Sequence, residues 1–98
     1  MLNIEAKHLA VLKGILEKHP YEFFVFGSRV RGDNKKFSDL DLAYKAEIPK
    51  AELSLIREEF EQSKLPYKID LVDLKSCTEE FKQLIINDLV LVKQFLPN

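Results

Sequence analysis

The chain has few of the residues that mark disulfide-bonded, secreted or membrane proteins. Its 98 residues include one cysteine, three glycines, four prolines and no tryptophan. The single cysteine, Cys77, excludes an internal disulfide and a cysteine-rich zinc site, which favours a reducing compartment. No apolar run approaches the roughly 20 residues of a membrane span, and no basic start with an apolar stretch indicates a secretion signal. We therefore expect a cytoplasmic protein without a membrane partner.

The charges of the chain nearly cancel. Fifteen basic and sixteen acidic residues give a formal net charge of −1, which provides no general attraction to nucleic acid. The apolar share of 46% suits one compact domain, and a chain of this length has no room for a separate substrate domain. We expect a single domain over residues 1–98, with any large acceptor docked outside or carried by a partner.

Helical spacing of apolar residues predicts three main helices. The first covers residues 4–18, the second begins at Pro49, and the third follows Ser76 and Glu79, which are spaced as a capping box, and runs to the end. The predicted inward stripes are Leu9, Leu12 and Leu16, then Leu53, Ile56 and Phe60, and finally Phe81, Leu84, Ile85, Leu89, Val92 and Phe95.

Three further segments have the patterns of strands. Residues 23–26 form a continuous apolar run that suits a strand buried on both faces. Residues 39–45 alternate strictly, and residues 67–73 alternate again, with Ile69 and Leu71 opposite Lys68, Asp70 and Val72. The sequence therefore predicts an α/β (α+β) fold, a small mixed sheet of three to four strands with helices packed on one face.

Two aspartates share one side of the second predicted strand. Residues two apart in a strand lie about 6.5–7 Å apart on the same face, so Asp39 and Asp41 can converge on one hard cation or a close pair. Unpaired carboxylates would repel each other there, and bound Mg²⁺ removes that repulsion. Asp70 joins them if the third strand lies beside the second, whereas Asp73 falls on the opposite face. These acids predict a magnesium site, with two ions serving both oxygens of an in-line displacement.

A glycine-serine step follows the first predicted strand. Gly27 allows close backbone approach and Ser28 stands where a helix begins, so the pair can receive a phosphate through backbone N–H groups. Arg29 and Arg31 follow, and the planar fork of arginine suits phosphate oxygens. An anion cradle beside a carboxylate metal site is what transfer from a nucleoside triphosphate requires.

Together these parts resemble the signature of the DNA polymerase beta-like nucleotidyltransferase superfamily. The signature comprises Gly27-Ser28, ten intervening residues, Asp39-Leu40-Asp41, and Asp70 in the third strand. The fuller strings GSRVRG and SDLDL, at residues 27–32 and 38–42, are similar to those of its minimal nucleotidyltransferases, the MNT proteins that pair with HEPN-domain partners. The resemblance covers nearly the whole chain.

The resemblance implies Mg²⁺-dependent transfer of AMP from ATP to an acceptor hydroxyl, with release of pyrophosphate. It implies two groups of site residues: Gly27, Ser28, Arg31 and Arg29 for the triphosphate, and Asp39, Asp41 and Asp70 for metal binding and catalysis. The implied partner is a helical HEPN protein, often a ribonuclease toxin, that is adenylylated on a tyrosine hydroxyl. The chain would then act as an antitoxin by modification.

Simpler interpretations of the same residues exist. Alternation alone would place Asp39 and Asp41 on the wet side of an edge strand, Asp70 would pair with Lys68, and the arginines would be ordinary surface cations. The glycine-serine step would be merely a strand-ending turn.

Three other residues with reactive side chains lack the neighbours that catalysis needs. His8 and His19 have no companion at ligand spacing, and Cys77 has no adjacent base, so structural or solvent-facing roles are expected for all three. The acidic stretch from Glu52 to Glu61 is expected to be a wet helix face.

Two other functions compete with adenylylation of a protein. One is a non-catalytic module that binds nucleotide and neutralises its partner by covering a surface. The other is nucleotidyl transfer to a small molecule or an RNA end, for which a homodimer would have to supply the missing pocket.

Overall fold

The computed structural model describes residues 2–95, in which helices and strands alternate. The elements are α1 (Ala6–Leu16), β1 (Phe23–Phe26), α2 (Ser28–Arg31), β2 (Leu40–Tyr44), α3 (Lys50–Glu61), β3 (Ile69–Asp73), α4 (Glu79–Ile85), β4 (Val90–Leu91) and a closing 3₁₀ helix (Val92–Gln94). The predicted helix from Pro49 begins one residue later, because Pro49 is the N-cap of α3. No helix within these residues is long and apolar enough to cross a membrane.

The four strands form one mixed sheet in the order β3-β2-β1-β4. Strand β1 pairs antiparallel with both of its neighbours, whereas β2 and β3 run parallel. A parallel connection needs a crossover, and α3 supplies it. The mixed sheet predicted from the sequence is confirmed, and its parallel pair brings the two acid-bearing strands side by side.

Helices α1 and α3 cover one face of the sheet. Their apolar stripes pack on the inward residues of β1 and β2, as predicted, and Leu40 and Leu42 are completely buried. The other buried members of this cluster include Leu12, Ile15, Leu16, Phe23, Val25, Tyr44, Ile56 and Phe60. This face holds most of the core. Because side chains alternate along a strand, burial of one set of residues on this face directs the other set to the opposite face.

A smaller apolar cluster lies on the second face. It contains Phe26, Ala43, Leu74 and Ile85, and Phe81 of α4 packs edge-on against Phe26 with ring centroids 6.0 Å apart. Helix α4 therefore lies on the face that α1 and α3 leave free. By strand alternation this is also the face of Asp41, so the acids share a surface with α4.

The predicted C-terminal helix is wrong in its start and its extent. Thr78, not Ser76, caps α4, since its Oγ1 accepts a hydrogen bond from the Phe81 amide at 3.2 Å. The Ser76 hydroxyl instead donates to Asp73 at 3.0 Å. Helix α4 stops at Ile85, and Leu84, predicted to point inward, is 78% exposed.

A fourth strand replaces the second half of that helix. Val90 and Leu91 pair with Val25 and Phe24 of β1. Without β4, the outer edge of β1 would expose unpaired backbone groups. Pairing with β4 satisfies the backbone groups on that edge. The paired residues lie far apart in the chain, so local helical periodicity cannot reveal the pairing.

Candidate active site

One helical turn between two glycines leads from β1 toward the acidic strand. Gly27 has φ 87° and ψ −156°, and Gly32 has φ 87° and ψ 7°; both conformations strongly favour glycine. The carbonyl of Gly27 accepts hydrogen bonds of 3.1 Å from amides of α2, and Ser28 is the first residue of that turn. The first amides of a helix have no carbonyl partner within the helix, so they remain suitable donors to a phosphate.

Asp41 packs directly against Gly27. The antiparallel register places Phe26 opposite Asp41, so the end of β1 and the start of β2 lie side by side. A Cβ atom built on Gly27 would lie 2.5 Å from Oδ2 of Asp41. The sequence predicts a close backbone approach at Gly27, and the approaching group is the carboxylate of a predicted metal ligand.

The predicted acids lie at one end of the parallel strand pair. Asp41 and Asp70 are direct neighbours in the register of β2 and β3, so their side chains share a face. Asp39, one residue before β2, has the same parity as Asp41. Burial raises the pKa of Asp41, the charges of Asp70 and Asp39 raise it further, and Arg31 lowers it. The carboxylates therefore repel one another, as expected where a cation belongs.

The acids are not preassembled around a single ion. Within residues 2–95, no group of three or more His, Cys, Asp or Glu side chains is arranged to hold a metal. Repulsion between charges acts over much longer distances than the 2.0–2.1 Å bonds of Mg²⁺. The acids can therefore raise the pKa of Asp41 without lying close enough together to bind one ion. Asp39 and Asp70 are exposed and carry the hard oxygen donors that Mg²⁺ prefers. The acids thus fit Mg²⁺ in donor type and charge, and their ligation of it stays a prediction.

Arg29 does not lie where a phosphate contact was predicted. It is 4% exposed, and its guanidinium donates four hydrogen bonds of 2.8–3.2 Å, all to backbone carbonyls, two of them to Ser38. Its Cζ atom also lies 3.9 Å from the centroid of the Tyr67 ring. These contacts occupy the guanidinium, so we correct the prediction. Arg29 fixes the loop that ends at Ser38, immediately before Asp39.

Arg31 lies at the surface close to the acids. Its Nη1 donates to Asp88 at 2.9 Å and its Nε donates to Asp33 at 3.4 Å. Hydrogen bonds with Asp88 and Asp33 raise the pKa of Arg31, and its charge lowers the pKa of Asp41. Arg31 thus remains the candidate cation for phosphate. No sequence pattern pointed to Asp88 as a neighbour, because 57 positions separate it from Arg31.

A buried histidine joins α1 to α3 on the face that the acids do not use. His19 is 8% exposed, with Nδ1 3.2 Å from Glu52 and Nε2 2.7 Å from Glu59. Burial lowers the pKa of His19, but hydrogen bonds with Glu59 and Glu52 outweigh burial and raise it above its usual value. The structural role predicted for His19 is confirmed. Glu52 and Glu59, by contrast, bind His19 instead of facing water as predicted.

The remaining histidine and the cysteine also have packing contacts. The His8 ring lies edge-on to Tyr67, with centroids 5.5 Å apart. Cys77 is half-buried, and its thiol donates to the Leu74 carbonyl at 3.3 Å. Neither residue contacts the acids.

Comparison with known proteins identifies the family of the chain. Residues 11–94 match the family described as "Polymerase beta, Nucleotidyltransferase". The chain belongs to this family. It is also 38% identical over 97 residues to a protein of Haemophilus influenzae described as "Probable protein adenylyltransferase MntA", covering 95% of this chain and 85% of that protein. Nucleotidyl transfer is therefore the activity class of the chain, and the resemblance to the minimal nucleotidyltransferases is confirmed.

A solved structure supports the fold. The structure described as "Crystal structure of the toxin-antitoxin with AMP-PNP" matches 86% of this chain and 71% of its own chain, with a TM-score of 0.65 and 22% identity. At that identity the likeness establishes the polymerase beta-like nucleotidyltransferase fold.

Proposed function

We propose that the chain transfers AMP from ATP to a hydroxyl group of a partner protein in a reaction that requires Mg²⁺. The similarity to a protein described as an adenylyltransferase supports AMP as the transferred group. The fold match to a toxin-antitoxin structure that contains AMP-PNP supports an ATP-like donor and a protein partner.

The contact between Gly27 and Asp41 is the observation that carries the proposal. It brings the start of α2, which offers amides to a phosphate, against a carboxylate that fits a metal. Asp70 lies next to Asp41 in the strand register. A triphosphate on the turn would therefore lie beside the acids, as a metal-assisted transfer needs.

The proposed residues divide the work between donor and acceptor. The Gly27-Ser28 turn and Arg31 hold the triphosphate, and Asp39, Asp41 and Asp70 hold Mg²⁺, with two ions expected. When bound, Mg²⁺ supplies positive charge that stabilises the transferred phosphoryl group and the leaving pyrophosphate.

Asp70 is exposed and belongs to β3 at the end of the strand order, which makes it the candidate base for the acceptor. As the acceptor oxygen bonds to the α-phosphorus, the bond to the bridging oxygen breaks and pyrophosphate leaves. The carboxylate of Asp70 takes the hydroxyl proton, which keeps the oxygen nucleophilic. The product carries AMP in a phosphodiester linkage.

The proposed partner is a helical HEPN-domain toxin modified on a tyrosine hydroxyl. Asp70 is exposed on β3, which lies at the end of the strand order, so an acceptor presented by another protein can approach it from outside. In this role the chain would be an antitoxin that acts by modification.

Intact-mass measurement of a co-expressed HEPN partner tests the proposal. The expected result is a gain of one or more AMP units with the wild-type chain, and no gain with the Asp39→Asn, Asp41→Asn double variant. Glu80→Gln serves as a control, because Glu80 is exposed and lies outside the proposed site. It should leave the mass gain unchanged.

Protection of cells from the toxin separates enzyme from binding module. If the double Asn variant binds the partner and still protects cells without any mass gain, the chain neutralises by complex formation and the proposed chemistry is wrong.

A further inference from the structure

The outer edge of β3 runs past Asp70. Strand β3 pairs with β2 alone, and the described part of the chain places no strand on its other side. The carbonyl of Lys68 and the amide of Leu74 both form hydrogen bonds with β2, of 2.9 and 3.0 Å. Backbone groups alternate in direction along a strand, so those of Asp70 also face β2. This alternation determines which backbone N–H and C=O groups of β3 point away from β2.

Ile69 and Leu71 direct their N–H and C=O groups away from the sheet. By the same alternation, these two residues present two donors and two acceptors along the open edge. No hydrogen bond to these groups is formed by any residue from 2 to 95. An unpaired edge of this kind accepts an additional strand through main-chain hydrogen bonds. Asp70 lies between the two residues, so a strand added here would pass the proposed base.

A surface groove of about 450 Å³ follows the same edge. Its lining includes Phe60 of α3 and Leu65 from the loop before β3, together with Asp70. Phe60 and Leu65 belong to the apolar cluster on the first face of the sheet, whereas Asp70 projects from the second face. The groove thus offers apolar contacts on one side of the edge and the carboxylate on the other.

We infer that this edge binds the acceptor as an extended peptide segment, added antiparallel to β3 with its hydroxyl residue opposite Asp70. The inference rests on the proposed function and specifies the form of the substrate. A residue opposite Asp70 would form a non-hydrogen-bonded pair, with Cα atoms about 4.5 Å apart and both side chains on one face. Its hydroxyl would therefore point to the side of Asp70.

The same geometry predicts sequence preference around the hydroxyl residue. The residues on either side of it would project to the first face, toward Phe60 and Leu65. Apolar side chains should be favoured at these two positions, because they would cover apolar surface. They would also exchange main-chain hydrogen bonds with Ile69 and Leu71.

Backbone methylation of a peptide tests this pairing. The probe is a short synthetic peptide with a central tyrosine flanked by leucines, supplied with ATP and Mg²⁺ to the full chain. Methylating the amides of both flanking leucines removes the N–H groups that would bond to β3 and should reduce AMP labelling at least tenfold. Methylating the tyrosine amide is the matched control, since that group would point away from β3, and labelling should stay within about twofold.

Amide hydrogen exchange provides a second measurement that needs no variant of the protein. With the unmethylated peptide present, exchange at Ile69 and Leu71 should slow at least tenfold. The amides of Asp70 and Val72, which already face β2, should change little. Equal labelling of the two methylated peptides, or unchanged exchange at Ile69 and Leu71, would overturn the inference.

The outcomes also separate this inference from the proposed function. If a HEPN partner gains AMP while the peptide is not labelled and does not slow amide exchange at Ile69 and Leu71, the edge site is refuted and the proposed function stands. Slowed exchange without AMP on either acceptor refutes the function and keeps the edge as a peptide site. Slowed exchange that depends on protein concentration in the absence of peptide indicates pairing between two copies of the chain and refutes the inference.

Discussion

Oδ2 of Asp41 lies 2.5 Å from the point where a Cβ atom on residue 27 would stand, so any side chain at residue 27 would force the Asp41 carboxylate to move. One contact therefore joins the glycine-serine turn to the acidic strand. The position of the Asp41 carboxylate therefore depends on the absence of a side chain at residue 27, fourteen positions earlier in the sequence.

Gly27→Ala should lose nucleotidyl transfer almost completely. The added methyl group displaces the Asp41 carboxylate, and the backbone conformation of Gly27 costs a residue with a Cβ atom about 1–3 kcal/mol. Gly32→Ala is the control: its φ is also positive, but nothing lies within 4 Å of the added atom. It should cost about 1–2 kcal/mol in unfolding free energy and keep its activity once folded. Equal activity of the two variants would refute displacement of Asp41.

Asp41→Asn should abolish transfer without lowering the thermal stability of the metal-free chain. Burial and the charges of Asp70 and Asp39 raise the pKa of Asp41. A raised carboxyl pKa means that ionised Asp41 disfavours the folded state above the pH at which the unfolded group ionises. A neutral amide removes that effect. In thermal denaturation, Mg²⁺ with a non-hydrolysable ATP analogue should stabilise the wild type much more than the variant. Equal stabilisation of both would exclude Asp41 as a ligand.

Arg29→Lys should destabilise the fold by about 1.5–3 kcal/mol, because lysine cannot reproduce the four carbonyl contacts of the guanidinium. Chemical denaturation measures this change. Arg31→Lys, at a half-exposed ion pair, should cost no more than about 1 kcal/mol but should raise the KM for ATP. A reversal of these two effects would restore Arg29 as the phosphate contact.

His19 should make stability fall at alkaline pH. Its pKa is raised in the folded chain, so its stabilising contribution is complete below the unfolded value of about 6.5 and is lost as pH rises through the folded value. His19→Gln should lower the melting temperature most at a pH of about 6 and least at about 9. A His19→Gln deficit that grows with pH would contradict the proposed charge state.

Gly14→Ala should stabilise the chain by about 0.5–1 kcal/mol. Gly14 lies within α1, is exposed, and leaves room for a methyl group, with nothing within 4 Å. Alanine loses less backbone freedom on folding than glycine in a helix. Denaturant midpoints report the change, and Ala10→Gly, at another exposed position of α1, should shift the midpoint in the opposite direction.

Much of the fold followed from hydrophobic periodicity. Leu12 and Ile56 are buried as the helical stripes predicted, and Leu40 and Leu42 are buried as strict alternation predicted. The C-terminal prediction was wrong at Leu84 and at β4, since a helical pattern of apolar residues also arises where a short helix is followed by a strand. Pairing with β1 is a long-range interaction that this local pattern does not contain.

In the candidate site, too, local patterns predicted some features and long-range contacts decided others. Gly27, Ser28 and the three aspartates were selected from residue type and spacing alone, and strand parity placed Asp70 with Asp41. Arg29 was assigned incorrectly because its charge and position suited a phosphate equally well. Only the folded chain shows its guanidinium enclosed by carbonyls and by Tyr67.

The sequence by itself determined which residues are the candidates for the chemistry and which face of each strand they occupy, because side-chain direction follows from local backbone geometry. Tertiary structure alone decided which strands became neighbours, which arginine was buried and which sheet edge stayed open. Those outcomes depend on contacts between residues far apart in the chain, where packing and hydrogen bonding outweigh local preference.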